Sequence, residues 1–323
     1  MILLITHSED FYNIDLVKGA LTKLGYDSMR INSDDFPMKW SLSESLGLNG
    51  KVITIFIADQ KISLSDVQGV WLRKYWSPKI SDEIDEQYKD GCFRESKAVM
   101  DILINQLQNV PMIDPIERII NGENKFLQLE LAQKHDIDIP NTLITNNPEE
   151  LKEFYNNSST ELVAKMLTPL TVSMDGSSAF VFTSKLTEEM LNDADLLRDC
   201  PMVFQELIEK EYELRVIYVS GNFYLGKIDA SKTAAGKVDW RQSKPGEVQW
   251  ENGELPGELK DKICNLMNDL GLVYGALDII KAKDGRYVFL EVNPCGEWGM
   301  LQKELDLPIA EAIAKALVMR IEN

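Results

Sequence analysis

The stretch that most constrains this chain is Leu272 to Gly296, LVYGALDIIKAKDGRYVFLEVNPCG, near the C-terminus. Asp284-Gly285 separates two apolar runs, and Asp-Gly supplies the positive φ that a type I′ hairpin turn needs at both central residues. With those two residues as the loop, Lys283 pairs with Arg286, and counting outward places Asp278 opposite Glu291. Carboxylates facing each other across a ladder destabilise a sheet unless a cation lies between them. The neighbours Leu277, Ile279, Ile280, Phe289, Leu290 and Val292 read as a buried strand pair, where an unpaired carboxylate is costly. Asn293 falls on the same face by the strand period. Asp278, Glu291 and Asn293 are therefore a set of hard oxygen donors of the kind magnesium takes. Truncating either acid to alanine is expected to abolish turnover but spare the fold, because it relieves a like-charge pair.

Such a site needs a scaffold, and 323 residues allow two or three domains with proper cores. A net charge of −18 argues against a basic nucleic-acid-binding stripe and favours cationic partners, or simply keeps the protein soluble. Cys92, Cys200, Cys264 and Cys295 are widely spaced, without a CxxC or a histidine cluster, and read as free thiols of a reducing, cytoplasmic compartment. The opening MILLITHSED is too short and lacks the basic start of a signal peptide, and no apolar run reaches the length of a membrane span.

In chain order, an apolar strand at 1–6, a helix over about 11–24 and a strand near 28–31 make a βαβ opening. Strands at 52–57 and 67–71 follow, then a helix over about 82–107 capped by Ser81, a short strand at 110–113 and a helix at 121–134. Residues 1–118 read as a self-contained α/β domain. Asn147-Pro148-Glu149-Glu150 starts a helix with an Asn cap and Pro in the first turn. The strand 162–167 is apolar except for Lys165, either a snorkelling edge residue or an ammonium directed at phosphate. The small-residue loop after it, TPLTVSMDGSS, ends in Gly176, Ser177 and Ser178, and loops of this kind offer backbone N–H groups to phosphate oxygens.

Another apolar strand, 202–208, contains Gln205, Glu206, Leu207 and Ile208. A hairpin about Ser220-Gly221 joins strands 213–219 and 222–228. Glu213 and Arg215 share a face of the first, as an ion pair or with the arginine left for an anionic substrate. GNFYLGK at 221–227 imitates a P-loop, but Ile228 stands where the magnesium-binding hydroxyl belongs and the lysine sits in a strand. Residues 230–253 read as a long loop carrying Arg241, of a length usual for functional lids or for disordered segments. Helices at 258–270 and about 309–321 complete the chain. The only histidines, His7 and His135, read as turn or surface residues.

As a set, the strand lysine, the Gly/Ser loop, the strand ending QELI, E-x-R at 213–215, Asp278 and E-x-N at 291–293 resemble the ATP-grasp superfamily over the whole chain. Within it the chain most resembles the ligases that cyclise graspetides, the ω-ester and ω-amide peptides typified by microviridins. The residues that carry this are LLITHSEDFYNIDLV at the start, DDFP at 34–37, VWLRKYW at 70–76, FRES at 93–96, KMLTPLTVSMDGSS at 165–178, CPMVFQELI at 200–208, ELRV at 213–216, VDWR at 238–241 and FLEVNPCGEW at 289–298.

The resemblance implies an α/β chain, α+β in the grasp halves, with an ATP-grasp fold behind a Rossmann-like pre-grasp domain. Its parts would be the pre-grasp domain 1–118, a central subdomain 119–208 and a C-terminal subdomain 209–323. ATP would lie between the grasp halves, with Lys125 and Lys165 on its phosphates together with the loop at Gly176, Ser177 and Ser178. Gln205, Glu206, Leu207 and Ile208 would hold adenine, and Glu213 is a further nucleotide contact. Asp278, Glu291 and Asn293 would hold Mg2+. Arg215 and Arg241 would grip a carboxylate or its acyl phosphate, since guanidinium matches such oxyanions bidentately. The implied reaction activates Asp or Glu side chains of a ribosomally made precursor peptide and joins them to Thr/Ser hydroxyls or Lys amines. A leader helix of that peptide would dock on the central subdomain, where the acidic segment Glu188 to Asp199 offers a surface, and the enzyme would be a homodimer. Two alternatives stay open from sequence. One is another ATP-grasp carboxylate–amine ligase, such as a protein glutamyl ligase or dipeptide ligase, which shares the ATP site. The other is a nucleotide-binding scaffold, although its metal ligands would be degraded and here they are complete.

Overall fold

An unbroken apolar run such as Ile2–Thr6 can be buried on both faces only inside a parallel sheet covered on each side. In the computed structural model, which describes residues 1–48, 50–168, 183–229 and 249–323, that run is β1 (Ile2–Thr6), buried throughout. After α1 (Asn13–Lys23) and β2 (Ser28–Asn32) comes an antiparallel meander of β3 (Trp40–Gly47), β4 (Gly50–Ile57) and β5 (Gln60–Ser63). Then follow β6 (Gly69–Leu72), α2 (Glu86–Leu107) and β7 (Met112–Ile113), giving a four-stranded parallel sheet in the order β2-β1-β6-β7. Sequence reasoning missed β3 and β5, whose alternation is diluted by serine, and misplaced the cap of α2. Asp85, not Ser81, accepts from the Gln87 N–H.

The middle of the chain contains α3 (Ile116–Gly122), α4 (Lys125–Lys134), β8 (Thr142–Thr145), α5 (Pro148–Asn157), β9 (Leu162–Lys165), β10 (Ser184–Lys185) and β11 (Met202–Glu206). These strands form an antiparallel sheet in the order β10-β9-β11-β8. The expected single helix over 121–134 is two, because the Asn124 side chain accepts from Leu127 N–H at 3.1 Å and starts a new helix there.

The last part runs β12 (Lys210–Val219), β13 (Asn222–Ile228), β14 (Glu251–Asn252), α6 (Gly257–Leu270), β15 (Tyr274–Ala282), β16 (Tyr287–Asn293), α7 (Gly299–Leu305) and α8 (Ile309–Glu322). Its sheet is β14-β13-β12-β15-β16. The turn between β15 and β16 has three residues, not two. Ala282 N–H donates to Arg286 O at 2.9 Å, and Gly285 supplies a φ of 95°. That slips the register by one, so Lys281 faces Tyr287. A bulge between the Ile279 and Asp278 pairs slips it back, and Asp278 does face Glu291.

The first 118 residues are not self-contained. Ile2, Leu4, Val17 and Trp71 share one core with Ile217 of β12 and with Ile313 and Leu317 of α8. The approach is close enough that a Cβ on Gly69 would lie 2.6 Å from Ile321 Cδ1. A second tie is Asp114, just after β7, whose carboxylate accepts from Val273 and Tyr274 N–H at 3.0 Å each. Burial raises its pKa to about 6 against the pull of those two donors. An unfolded aspartate ionises near 3.8, so between about pH 4 and about pH 6 the folded chain holds a proton that the unfolded chain has lost. Stability is therefore expected to fall as pH rises through that window, by up to about 3 kcal/mol from this group. Urea midpoints across the window should show a slope that is smaller in Asp114→Asn; an unchanged slope would refute the assignment.

Candidate active site

Three neighbouring strands set three charges in a row across one face. Arg215 on β12 is registered against Asp278 on β15, and Asp278 against Glu291 on β16. The strand period adds Glu213 and Asn293 to that face. The opposed carboxylates are each matched by a cation. Arg215 Nη1 lies 2.8 Å from Asp278 Oδ1, and Lys125 Nζ lies 2.6 Å from Glu291 Oε2. Arg215 thus pairs with Asp278 and not with Glu213, whose carboxylate lies 2.7 Å from Lys210 Nζ. Burial pushes the Glu291 carboxyl up, but Lys125, Asn293 and Lys165 outweigh it and hold the group well below the usual carboxylate range. For Arg215, burial favours the neutral form, and Asp278 more than restores the charge.

The first residue of α4 is Lys125, and the sequence fixes this helix on β16. Gln128 is fully buried, its Oε1 accepting from Val292 N–H at 2.9 Å and its Nε2 donating to Val292 O at 2.8 Å and to Gly122 O. Lys125 also donates to Asn293 Oδ1 at 3.3 Å, and Asn293 Nδ2 donates to Glu291 Oε1 at 3.1 Å.

A cavity of about 420 Å3 opens between the middle sheet and this face. Its wall contains every described residue that the sequence offered for ATP, magnesium or the substrate carboxylate: Lys125, Lys165, Gln205, Glu206, Leu207, Ile208, Glu213, Arg215, Asp278, Glu291 and Asn293. Gly176, Ser177, Ser178 and Arg241 lie outside the described residues. Sequence reasoning missed Val163, Ile280 and Leu290, which add an apolar wall, and Glu297 and Met300 beyond Asn293. Val163 and Ile280 were findable, each two residues from a polar site residue on the same strand. Leu290 was not, since only the bulge brings it to the same side as Glu291. Ile208, Ile280 and Leu290 cluster together, so the cavity has an apolar end beside Gln205 to Ile208 and a charged end around Asp278 and Glu291. Such a division suits a nucleotide, with its base against the apolar wall and its phosphates among Lys125, Lys165 and Arg215.

The donor set also fits magnesium. Asp278, Glu291 and Asn293 are hard oxygen donors on adjacent strands, and two carboxylates with the balance supplied by substrate phosphates is how magnesium is usually held. Among the described residues no group of three or more His, Cys, Asp or Glu gathers for a metal, here or elsewhere, and no helix is long and apolar enough to cross a membrane. All four cysteines are free.

Comparison with known proteins accounts for this arrangement. Residues 1–120 match the MvdD pre-ATP-grasp domain, and residues 122–317 match the RimK-like ATP-grasp domain. The macrocyclase MdnC from Microcystis aeruginosa MRC, solved with its precursor peptide MdnA, is 34% identical, with 98% of this chain and 99% of that one covered and a TM-score of 0.87. A RiPP-associated ATP-grasp ligase from Chryseobacterium gregarium, in complex with ADP and a leader and core peptide, is 32% identical, with 99% and 96% covered and a TM-score of 0.89. Among curated proteins, the tetrahydromethanopterin:alpha-L-glutamate ligase of Methanococcus maripaludis is 22% identical over 65% of this chain and 70% of its own. With the fold, the charged cavity and these matches in agreement, the chain belongs to the RimK-like ATP-grasp ligases that carry an MvdD-type pre-ATP-grasp domain.

Proposed function

We propose that this ligase is a peptide macrocyclase that uses ATP to join Asp or Glu side chains of a precursor peptide to Thr/Ser hydroxyls or Lys amines of the same peptide. The observation that carries this is likeness over essentially the full length, at 34% and 32% identity, to a macrocyclase and a RiPP ligase, both solved with peptides. The glutamate ligase matches over a shorter stretch at 22%, which speaks for the fold alone.

In this reading 1–118 is the pre-grasp domain, 119–208 the central subdomain and 209–323 the C-terminal subdomain. Lys125 and Lys165 neutralise phosphate oxygens, and Gln205 to Ile208 face the base. Magnesium held by Asp278, Glu291 and Asn293 would offset phosphate charge during transfer. A peptide carboxylate oxygen attacks the γ-phosphorus, the bond from phosphorus to the β–γ bridging oxygen breaks, and ADP leaves. Arg215, and Arg241 with it, holds the carboxylate and then the acyl phosphate oxygens. The hydroxyl oxygen or amine nitrogen attacks the acyl carbon, the bond to phosphate breaks, and the nucleophile's proton leaves with inorganic phosphate. The leader docks along Glu188 to Asp199, where Asp193, Asp195 and Asp199 are exposed beside Leu196. We place the enzyme in the cytoplasm as a homodimer.

Incubating the precursor peptide with enzyme, ATP and magnesium is expected to remove one water per ring from the peptide mass. A gain of one glutamate residue would mean a glutamyl ligase instead, and phosphate release without any change in peptide mass would sink both.

A further inference from the structure

The segment after β16, Pro294 to Trp298, stands between the cavity and the pre-grasp sheet. On the cavity side, the Glu297 carbonyl oxygen accepts from Arg215 Nη2 at 3.1 Å and from Nε at 3.3 Å. On the other side, the Glu297 carboxylate accepts from Asn13 Nδ2 at 2.6 Å and from Lys74 Nζ at 2.5 Å, and it is ion-paired with Arg73, whose Nη2 lies 2.8 Å away. Arg73 is 1% exposed and also donates to the carbonyls of Cys295 and Gly296. One guanidinium therefore donates to two carbonyls of a single tight segment and lies against a carboxylate oxygen of the same segment.

Glycine is needed in the middle of that segment and directly after it. A Cβ at Gly296 would lie 2.9 Å from Arg215 Nη2 and 2.4 Å from Ala276 Cβ, and one at Gly299 would lie 2.2 Å from Asn13 Oδ1. Arg73 thus touches, at the Cys295 and Gly296 carbonyls, the same stretch of backbone that presents Glu297 O to Arg215. Three of the five N–H bonds of Arg215 are directed at Glu297 O and Asp278, which fixes the guanidinium plane. A peptide carbonyl can move only with its segment, so Arg73 controls where that plane lies.

We propose that Arg73, assisted by Asn13, is a positioning residue: through Glu297 it sets the Arg215 guanidinium, and with it the grip on the carboxylate being activated. This rests on the reading that Arg215 holds that carboxylate. It gives the pre-grasp domain a part in the chemistry without contact to substrate.

Arg73→Lys keeps the charge beside Glu297 and Asp10 but cannot reach the two carbonyls and the carboxylate together, because an ammonium offers its donors from one atom. The expected result is a fall of about 10- to 100-fold in kcat for ring closure, with KM for ATP unchanged and the melting transition still cooperative. In an Arg215→Lys background, which has already lost the fork on Glu297 O, Arg73→Lys should cost less than about twofold more. Effects that multiply in full would overturn the inference and leave the role of Arg215 standing. A matching rise in KM for ATP would also overturn it, as a purely structural role. Full activity in Arg215→Lys would instead remove the underlying reading. If Arg73→Lys fails to fold, Asn13→Ala, which deletes one donor to the same carboxylate, goes through the same cycle with the same criteria.

Discussion

Replacing Asp278 by alanine is expected to destabilise the protein by about 3–5 kcal/mol in addition to abolishing turnover, because it strands a buried arginine. From sequence the two acids read as a repulsive pair whose relief would spare the fold. The structure reverses the sign, since Arg215 is 8% exposed and Asp278 is its carboxylate partner at 2.8 Å. Removing one member of a buried pair leaves the other without a counter-charge in a poorly solvated place. Asp278→Asn keeps an oxygen acceptor for Nη1 and loses only the charge, so it should melt closer to wild type while remaining inactive. Thermal melts of the two variants side by side decide the matter. Equal stability of wild type and Asp278→Ala would restore the repulsive reading.

Lys125→Met should weaken ATP binding by about 10- to 100-fold, the usual weight of a hydrogen bond to a charged group. It also leaves Glu291 without the cation now 2.6 Å away, so the variant should be less stable than wild type. Adding Glu291→Gln removes the charge left behind. The double variant is therefore expected to regain much of the lost stability and none of the ATP affinity. Calorimetric titration with ATP and urea unfolding measure the two separately. Recovery of both together, or of neither, would show that Lys125 does not link phosphate and strand as described.

The site was legible in the sequence to the extent that it depends on strand parity. Lys165, Arg215, Asp278, Glu291 and Asn293 all line the cavity because residues two apart share a face. Asp278 nevertheless meets Glu291 through two departures from a simple two-residue hairpin that cancel. The turn is one residue longer than expected, held by Asp284 accepting from Arg286 N–H at 3.0 Å, and the bulge at Leu290 corrects the count. Neither can be counted from Asp-Gly alone, since a bulge is decided by what two adjacent side chains face. The shared core of the first sheet and α8 was partly legible. A helix reading IAEAIAKALVMRIE is apolar over most of its surface and needs more than one partner, which in the structure are α1, β6, β7 and β12. The contacts of the Glu297 carboxylate were invisible, because its three partners precede it by more than two hundred residues.

The buried amide of Gln128 has a mechanical consequence. It bolts α4 to β16, so Lys125, Glu291 and Asn293 form one solid jaw, while Lys165 and the strand holding Gln205 belong to the sheet opposite. Any gaping of the cleft changes the gap between the two lysines and leaves the spacing of Lys125 from Glu291 alone. The charged end is thus a fixed anvil, and the distance from Lys125 to Lys165 is set by the placement of the other sheet alone.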